Sequence, residues 1–109
     1  MLKRRLNLKI QNSLLFVDIR VFPPRESDGC WMCRYEIEWP EGRQTMEAGG
    51  SDSVQSLIGA LQMIGADLYT SSYHRNGELQ SLGDGWTGYG FPVPYNLRDA
   101  LIGEDARFF

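Results

Sequence analysis

His74 is the only histidine in the 109 residues, and imidazole is the side chain whose ordinary pKa suits proton transfer near neutrality. In Tyr73-His74-Arg75-Asn76 it follows a helical pattern, with Asp84 or Glu78 as the carboxylate that would orient it as a general base. Ser71 and Ser72 stand nearby, but catalysis needs a geometry that adjacency in sequence does not supply, so His74 reads as an exposed loop residue. Cys30 and Cys33 form C-x-x-C, the spacing of a redox pair or half a zinc site. A redox pair sits at a helix N-terminus, whereas Cys30 to Trp39 alternates like a strand. Residues three apart on a strand lie about 10 Å apart on opposite faces, too far for a disulfide. Zinc needs four ligands, and with His74 as the only histidine a carboxylate or a second chain would have to complete the set. Cys33 is therefore expected in the core and Cys30 near a strand end.

Gly83-Asp84-Gly85-Trp86-Thr87-Gly88 matches G-x-G-x-x-G, whose glycines let a helix N-terminus approach a pyrophosphate. Here Tyr89-Gly90-Phe91-Pro92 follows instead of a helix, and no βαβ unit surrounds it, so a glycine-rich surface loop is expected. Glu36 and Glu38 share one strand face, with Arg34 beside them and Arg20 on the preceding strand, which predicts cross-strand ion pairs on a solvated face. No cofactor or metal is called for. Tyr73, Trp86, Tyr89 and Tyr95 gather in the second half, and loop aromatics offer large contact area at low entropic cost. They suit either a partner surface or cover for an open end of the core. Phe108-Phe109 has the same two readings.

The elements that must position these residues follow from periodicity. Leu2, Leu6, Leu8 and Ile10 alternate with Arg5, Asn7 and Lys9, a half-buried strand. After Asn12-Ser13, a second strand from Leu14 to Phe22 carries Leu15, Val17, Ile19 and Val21 on one face and ends at Pro23-Pro24. Residues 25–29 read as a loop. Strand three, Cys30 to Trp39, turns through Pro40-Glu41-Gly42 into a hairpin partner at 43–48. Gly49-Gly50 breaks it, and Asp52 with Gln55 predicts a capped helix from about 52 to 71. Val54, Leu57, Ile58, Leu61, Ile64 and Leu68 form its apolar stripe. Glu78 to Leu82 suggests a short strand, 91–94 an extended segment, and Asn96 with Asp99 a short capped helix. The fold class is therefore α+β: an antiparallel sheet of four or more strands packed by one long helix, in a single domain, with a glycine- and aromatic-rich C-terminal region.

Charge narrows the function classes. Eleven Lys plus Arg against fourteen Asp plus Glu give a net charge of −3, which argues against a nucleic-acid partner, because neutralising phosphates needs a basic surface. Residues 1–50 carry eight basic and seven acidic residues, a balance of +1, and residues 51–109 carry three and seven, a balance of −4. Any acidic face belongs mainly to the second half. Met1-Leu2-Lys3-Arg4-Arg5 imitates the start of a signal peptide, but Asn7, Lys9, Gln11 and Asn12 interrupt the apolar run it would need. With no long apolar segment, no membrane association and a cytoplasmic location are expected.

Phe22-Pro23-Pro24, Gly29-Cys30-Trp31 through Tyr35-Glu36-Ile37, the run Gly50 to Leu57 with Ala60-Leu61-Gln62 and Leu68-Tyr69, and Gly90-Phe91-Pro92 together have a distinctive order. That order resembles a family of small bacterial proteins described only as a domain of unknown function, over most of residues 1–93. The resemblance implies a small sheet with one helix in a bacterial, cytoplasmic protein. It brings no activity, cofactor or catalytic residue, and residues 94–109 extend beyond it.

The reading that follows is a non-catalytic binding or interaction protein. Its sharpest form is an immunity-type inhibitor that meets a basic cognate toxin with an acidic, aromatic surface bearing Tyr73, His74, Asp84, Trp86 and Tyr89. The alternatives are a small enzyme using His74 with Asp84 or Glu78, which requires hydrogen-bond reach between them, and a structural homodimer pairing an edge strand, at 43–48 or the first strand.

Overall fold

The computed structural model describes residues 1–109. Its strands are β1 (Leu2–Ile10), β2 (Ser13–Val21), β3 (Arg25–Ser27), β4 (Cys30–Trp39) and β5 (Gly42–Gly50), all paired antiparallel. Helix α1 (Ser53–Tyr69) follows, then a single turn α2 (Ser72–Arg75), a 3-10 turn at Tyr95–Ala100 and α3 (Gly103–Phe108). This is the α+β arrangement expected from the alternating patterns. No helix is long and apolar enough to cross a membrane.

β2 and β3 lie in turn along one edge of β4, while β5 runs along the other. Pro23-Pro24, which donate no ladder hydrogen bonds, separate β2 from β3. Val21 pairs with Tyr35 but Arg25 with Met32, so the register gains one residue across the break. The expected loop at 25–29 is thus partly a strand. Asp28 and Gly29 both adopt positive φ, 51° and 80°, as a two-residue type I′ hairpin turn requires, and Asp-Gly is a strong sequence signal for it. At the far edge the expected strand at 78–82 reduces to one bridge between Leu8 and Leu79, flanked by hydrogen bonds from Lys9 N–H to the Glu78 carbonyl and from Gln80 N–H to the Asn7 carbonyl.

The inward faces behave as period two dictates: Leu6, Leu8, Val17, Ile19, Val21, Cys33, Tyr35 and Ile37 are all buried. Cys33 donates its thiol to the Phe22 carbonyl, and burial raises its pKa; Cys30 is exposed at the start of β4. On the outer face Arg20 pairs with Glu38 at 3.2 Å, and Arg43 approaches both Glu36 and Glu38. Arg34 instead lies over the Phe22 ring at 4.1 Å.

α1 begins as its cap predicts, with Gln55 N–H donating to Asp52 Oδ1 at 2.7 Å and the Gln55 side chain accepting from Ser51 N–H at 2.6 Å. Its buried face is rotated from the expected stripe. Ser56, Ala60, Ile64, Gly65 and Leu68 face the protein, while Val54 and Ile58 are 62% and 49% exposed. The cause is closeness: a Cβ on Gly65 would lie 1.8 Å from the Pro92 carbonyl oxygen. Small side chains let backbone approach the helix, whereas a stripe of large apolar residues would hold it away.

Candidate functional site

Residues 83–109 fold around one buried carboxylate. The Trp86 N–H closes on the Gly83 carbonyl at 3.1 Å, and Gly85 supplies the positive φ, 79°, of a tight turn. The G-x-G-x-x-G spacing is therefore a turn that aims Trp86 inward. α3 brings Asp105, 0% exposed, beneath it. Asp105 accepts from the Tyr69 hydroxyl at 2.5 Å, the Trp86 indole N–H at 2.8 Å, and the backbone N–H groups of Tyr89 and Gly90 at 2.7 and 2.9 Å. Four donors satisfy the carboxylate without a cation, which is how a buried charge is tolerated. Gly88 passes so close that a Cβ there would meet Asp105 Cγ at 2.4 Å.

His74 borders this knot. Ser71 Oγ accepts its backbone N–H at 3.1 Å, fixing the start of α2. Its ring lies edge-on to Tyr69 and Tyr89, and Nδ1 is 2.5 Å from the Tyr89 hydroxyl. The imidazole is half-buried rather than free in a loop, and that burial pushes its pKa down. It makes no hydrogen bond to Asp84 or Glu78, so the pairing that the enzyme alternative requires does not form. Asp84 is exposed and makes no ion pair. Trp86 stacks on Phe108, with centroids 5.4 Å apart and planes at 18°. Tyr89 is 2% exposed, and burial with the nearby Asp105 charge pushes its pKa up to about 12. Of the five expected contact residues, His74, Trp86 and Tyr89 therefore belong to one packed cluster.

Tyr73 belongs to a second, open arrangement that the sequence reading missed. Trp39 at the end of β4, Glu41 in the following turn, Gln44 on β5, Asp67 in the last turn of α1 and Tyr73 on α2 line a cleft of about 210 Å³, with Ser71 and Ser72 at its margin. Tyr35 and Gln44 belong to inward-facing rows, so their polar ends need partners. Both find Asp67: the Tyr35 hydroxyl donates at 2.5 Å and Gln44 Nε2 at 2.9 Å. Gln44 Oε1 accepts the Trp39 indole N–H at 2.8 Å, and Trp39 stacks on Tyr73 at 5.4 Å and 15°. The Tyr73 hydroxyl donates to Glu41 at 2.7 Å, and that bond, with some burial, pushes its pKa up to about 12.

The cleft differs electrostatically from the sheet's outer face. There Asp18, Glu36, Glu38 and Glu47 each have an arginine within 4.0 Å. Glu41 and Asp67 have no ion-pair partner, and no lysine or arginine lines the cleft. Two uncompensated carboxylates beside a stacked aromatic pair can take a cationic group, by charge and by cation–π contact. A polar pair on inward rows, Tyr35 and Gln44, opposite an acidic residue near the end of an apolar helix was the available signal. No three His, Cys, Asp or Glu side chains cluster as metal ligands would.

The family model of a domain of unknown function, DUF6968, matches residues 2–93. That stretch contains the whole cleft, whereas Asp105 and Phe108 lie outside it. No curated protein and no solved structure matches the chain.

Proposed function

The chain belongs to this family of unknown function, and from the geometry we propose that it is a non-catalytic binding protein that takes a cationic side chain of a basic protein partner. The observation that carries the reading is the pair of carboxylates, Glu41 and Asp67, left without a cation beside the stacked Trp39 and Tyr73. An arginine from a partner would meet an aromatic face and two acceptors at once, the combination that makes arginine a frequent anchor of interfaces. Asp84, exposed and unpaired, adds to the attraction at longer range.

The sharpest form of the proposal is a bacterial, cytoplasmic inhibitor of the immunity type, neutralising a basic toxin. It is supported by the net charge of −3 and by the two free cysteines, which suit a reducing compartment. The non-catalytic part of the proposal is supported by the enclosure of Asp105 by four donors and by the lack of a carboxylate hydrogen-bonded to the His74 ring, whose Nδ1 meets the Tyr89 hydroxyl.

Capture of partners from native lysate by the tagged protein, beside a Glu41→Gln/Asp67→Asn variant, tests the proposal. One basic protein in stoichiometric amount is expected, released as salt is raised and missing from the variant's eluate. Equal recovery by the variant, or capture indifferent to salt, contradicts it.

A further inference from the structure

The inward row of β1 reads Leu2, Arg4, Leu6, Leu8, so Arg4 is a permanent cation at a position where period two asks for an apolar side chain. Its Nη1 donates to the Gly90 carbonyl at 2.8 Å and the Tyr89 carbonyl at 3.3 Å, and its guanidinium lies 4.9 Å from the centroid of the Phe91 ring. Gly90 makes this approach possible, since a Cβ there would stand 2.6 Å from Nη1. No carboxylate lies within ion-pair distance of Arg4, in contrast to Arg5, Arg20, Arg25 and Arg43. Nε and Nη2, the edge of the guanidinium that binds carboxylates in a two-pronged fashion, have no acceptor in the protein.

Arg4 lines a cavity of about 390 Å³ between β1, β2, α1 and residues 90–92. Leu2, Ile19, Val21, Leu61, Phe91 and Phe109 supply its apolar wall. No acidic residue lines it, and the ammonium of the other cation present, Lys3, is already paired with Asp18 at 3.8 Å. The size falls in the range of small-molecule sites, roughly 300–1,000 Å³, which are mostly apolar with a few polar groups that fix orientation. This cavity shares no residue with the acidic cleft.

We propose that the cavity binds a small monocarboxylate with an apolar tail, the carboxylate on the free edge of Arg4 and the tail against Leu61 and Phe91. An apolar wall holding one uncompensated cation complements an amphipathic anion; a neutral apolar ligand would leave the guanidinium without its counter-charge.

Titration calorimetry of the full chain with decanoate, below its micelle concentration, and with 1-decanol separates the two contributions. Decanoate is expected to bind at one saturable site, at least about tenfold tighter than decanol, as a charge-assisted hydrogen bond allows. Arg4→Gln should bring the two ligands to similar affinity, and Leu61→Trp, which fills the cavity, should lose both. Because Arg4 also ties down Gly90, the Arg4 variant is interpreted only if it folds; the ligand ratio on the native protein and the Leu61 variant decide without it. Absence of saturable decanoate binding, equal affinity for decanol, or undiminished binding by a folded Leu61→Trp protein overturns the proposal.

Discussion

Asp105 and Asp67 each accept a tyrosine hydroxyl at 2.5 Å and neither has a cation, yet they sit in opposite surroundings. Asp105 is sealed from solvent, and four donors from α1, the glycine turn and the following backbone converge on it. Asp67 is half-buried, takes two donors, and opens onto a cleft that holds a second unpaired carboxylate. The number of donors and the access of solvent separate a carboxylate that organises a fold from one that can receive a ligand. An enclosed, satisfied acid stabilises through its partners, and removing it strands them. An open acid with spare lone pairs keeps its charge available.

The largest effect is expected from Asp105→Ala, which leaves two backbone N–H groups, an indole and a phenol without their acceptor. A loss of about 3 kcal/mol or more in urea unfolding is predicted; a change below about 1 kcal/mol would break the comparison at its closed end.

A second effect appears with pH. The Tyr89 pKa is raised from the ordinary 10.0 to about 12, mainly by burial and also by Asp105, and burial with the Asp105 hydrogen bond raises Tyr69 as well. A tyrosine whose pKa is higher folded than unfolded contributes stability that is fully present below pH 10 and lost as pH rises through the folded value. Unfolding midpoints should therefore hold to about pH 10 and then fall, and Tyr89→Phe should lessen the fall. His74 acts from the other side: its depressed pKa gives stability present above pH 6.5 and lost as pH drops through the folded value.

The smallest change in stability is expected from Asp67→Asn, within about 1 kcal/mol, because the amide oxygen still accepts from Tyr35 and Gln44. Its effect should fall on cation binding instead. A large loss of stability with binding intact would move Asp67 into the same class as Asp105.

Much of the fold was legible because its signals are local. Alternation gave β1, β2 and β4, and Asp52 with Gln55 marked the start of α1. The buried face of α1 was less so, because Ser56, Ala60 and Gly65 are inward for lack of bulk, and hydrophobicity favours Val54 and Ile58 instead. α3 and its aspartate were hidden for another reason: Asp105 lies 36 residues from Tyr69 and 19 from Trp86, and nothing in local pattern reports such a meeting. The cleft was half legible. Tyr73 stands out in the sequence as a loop aromatic, but its neighbours Trp39 and Asp67 come from a strand and a helix that only the fold brings together.

The three tryptophans allow one direct measurement, since each indole N–H gives its own signal in a nitrogen-15 correlation spectrum. Trp39 reports the cleft, Trp86 the Asp105 knot, and Trp31 neither. In a titration with hexa-arginine amide as the cationic probe, the Trp39 signal should shift to saturation while Trp86 and Trp31 stay in place, and Glu41→Gln should abolish the shift. A Trp39 signal that does not move, or moves no more than the other two, would contradict the assignment of the cleft as the recognition site.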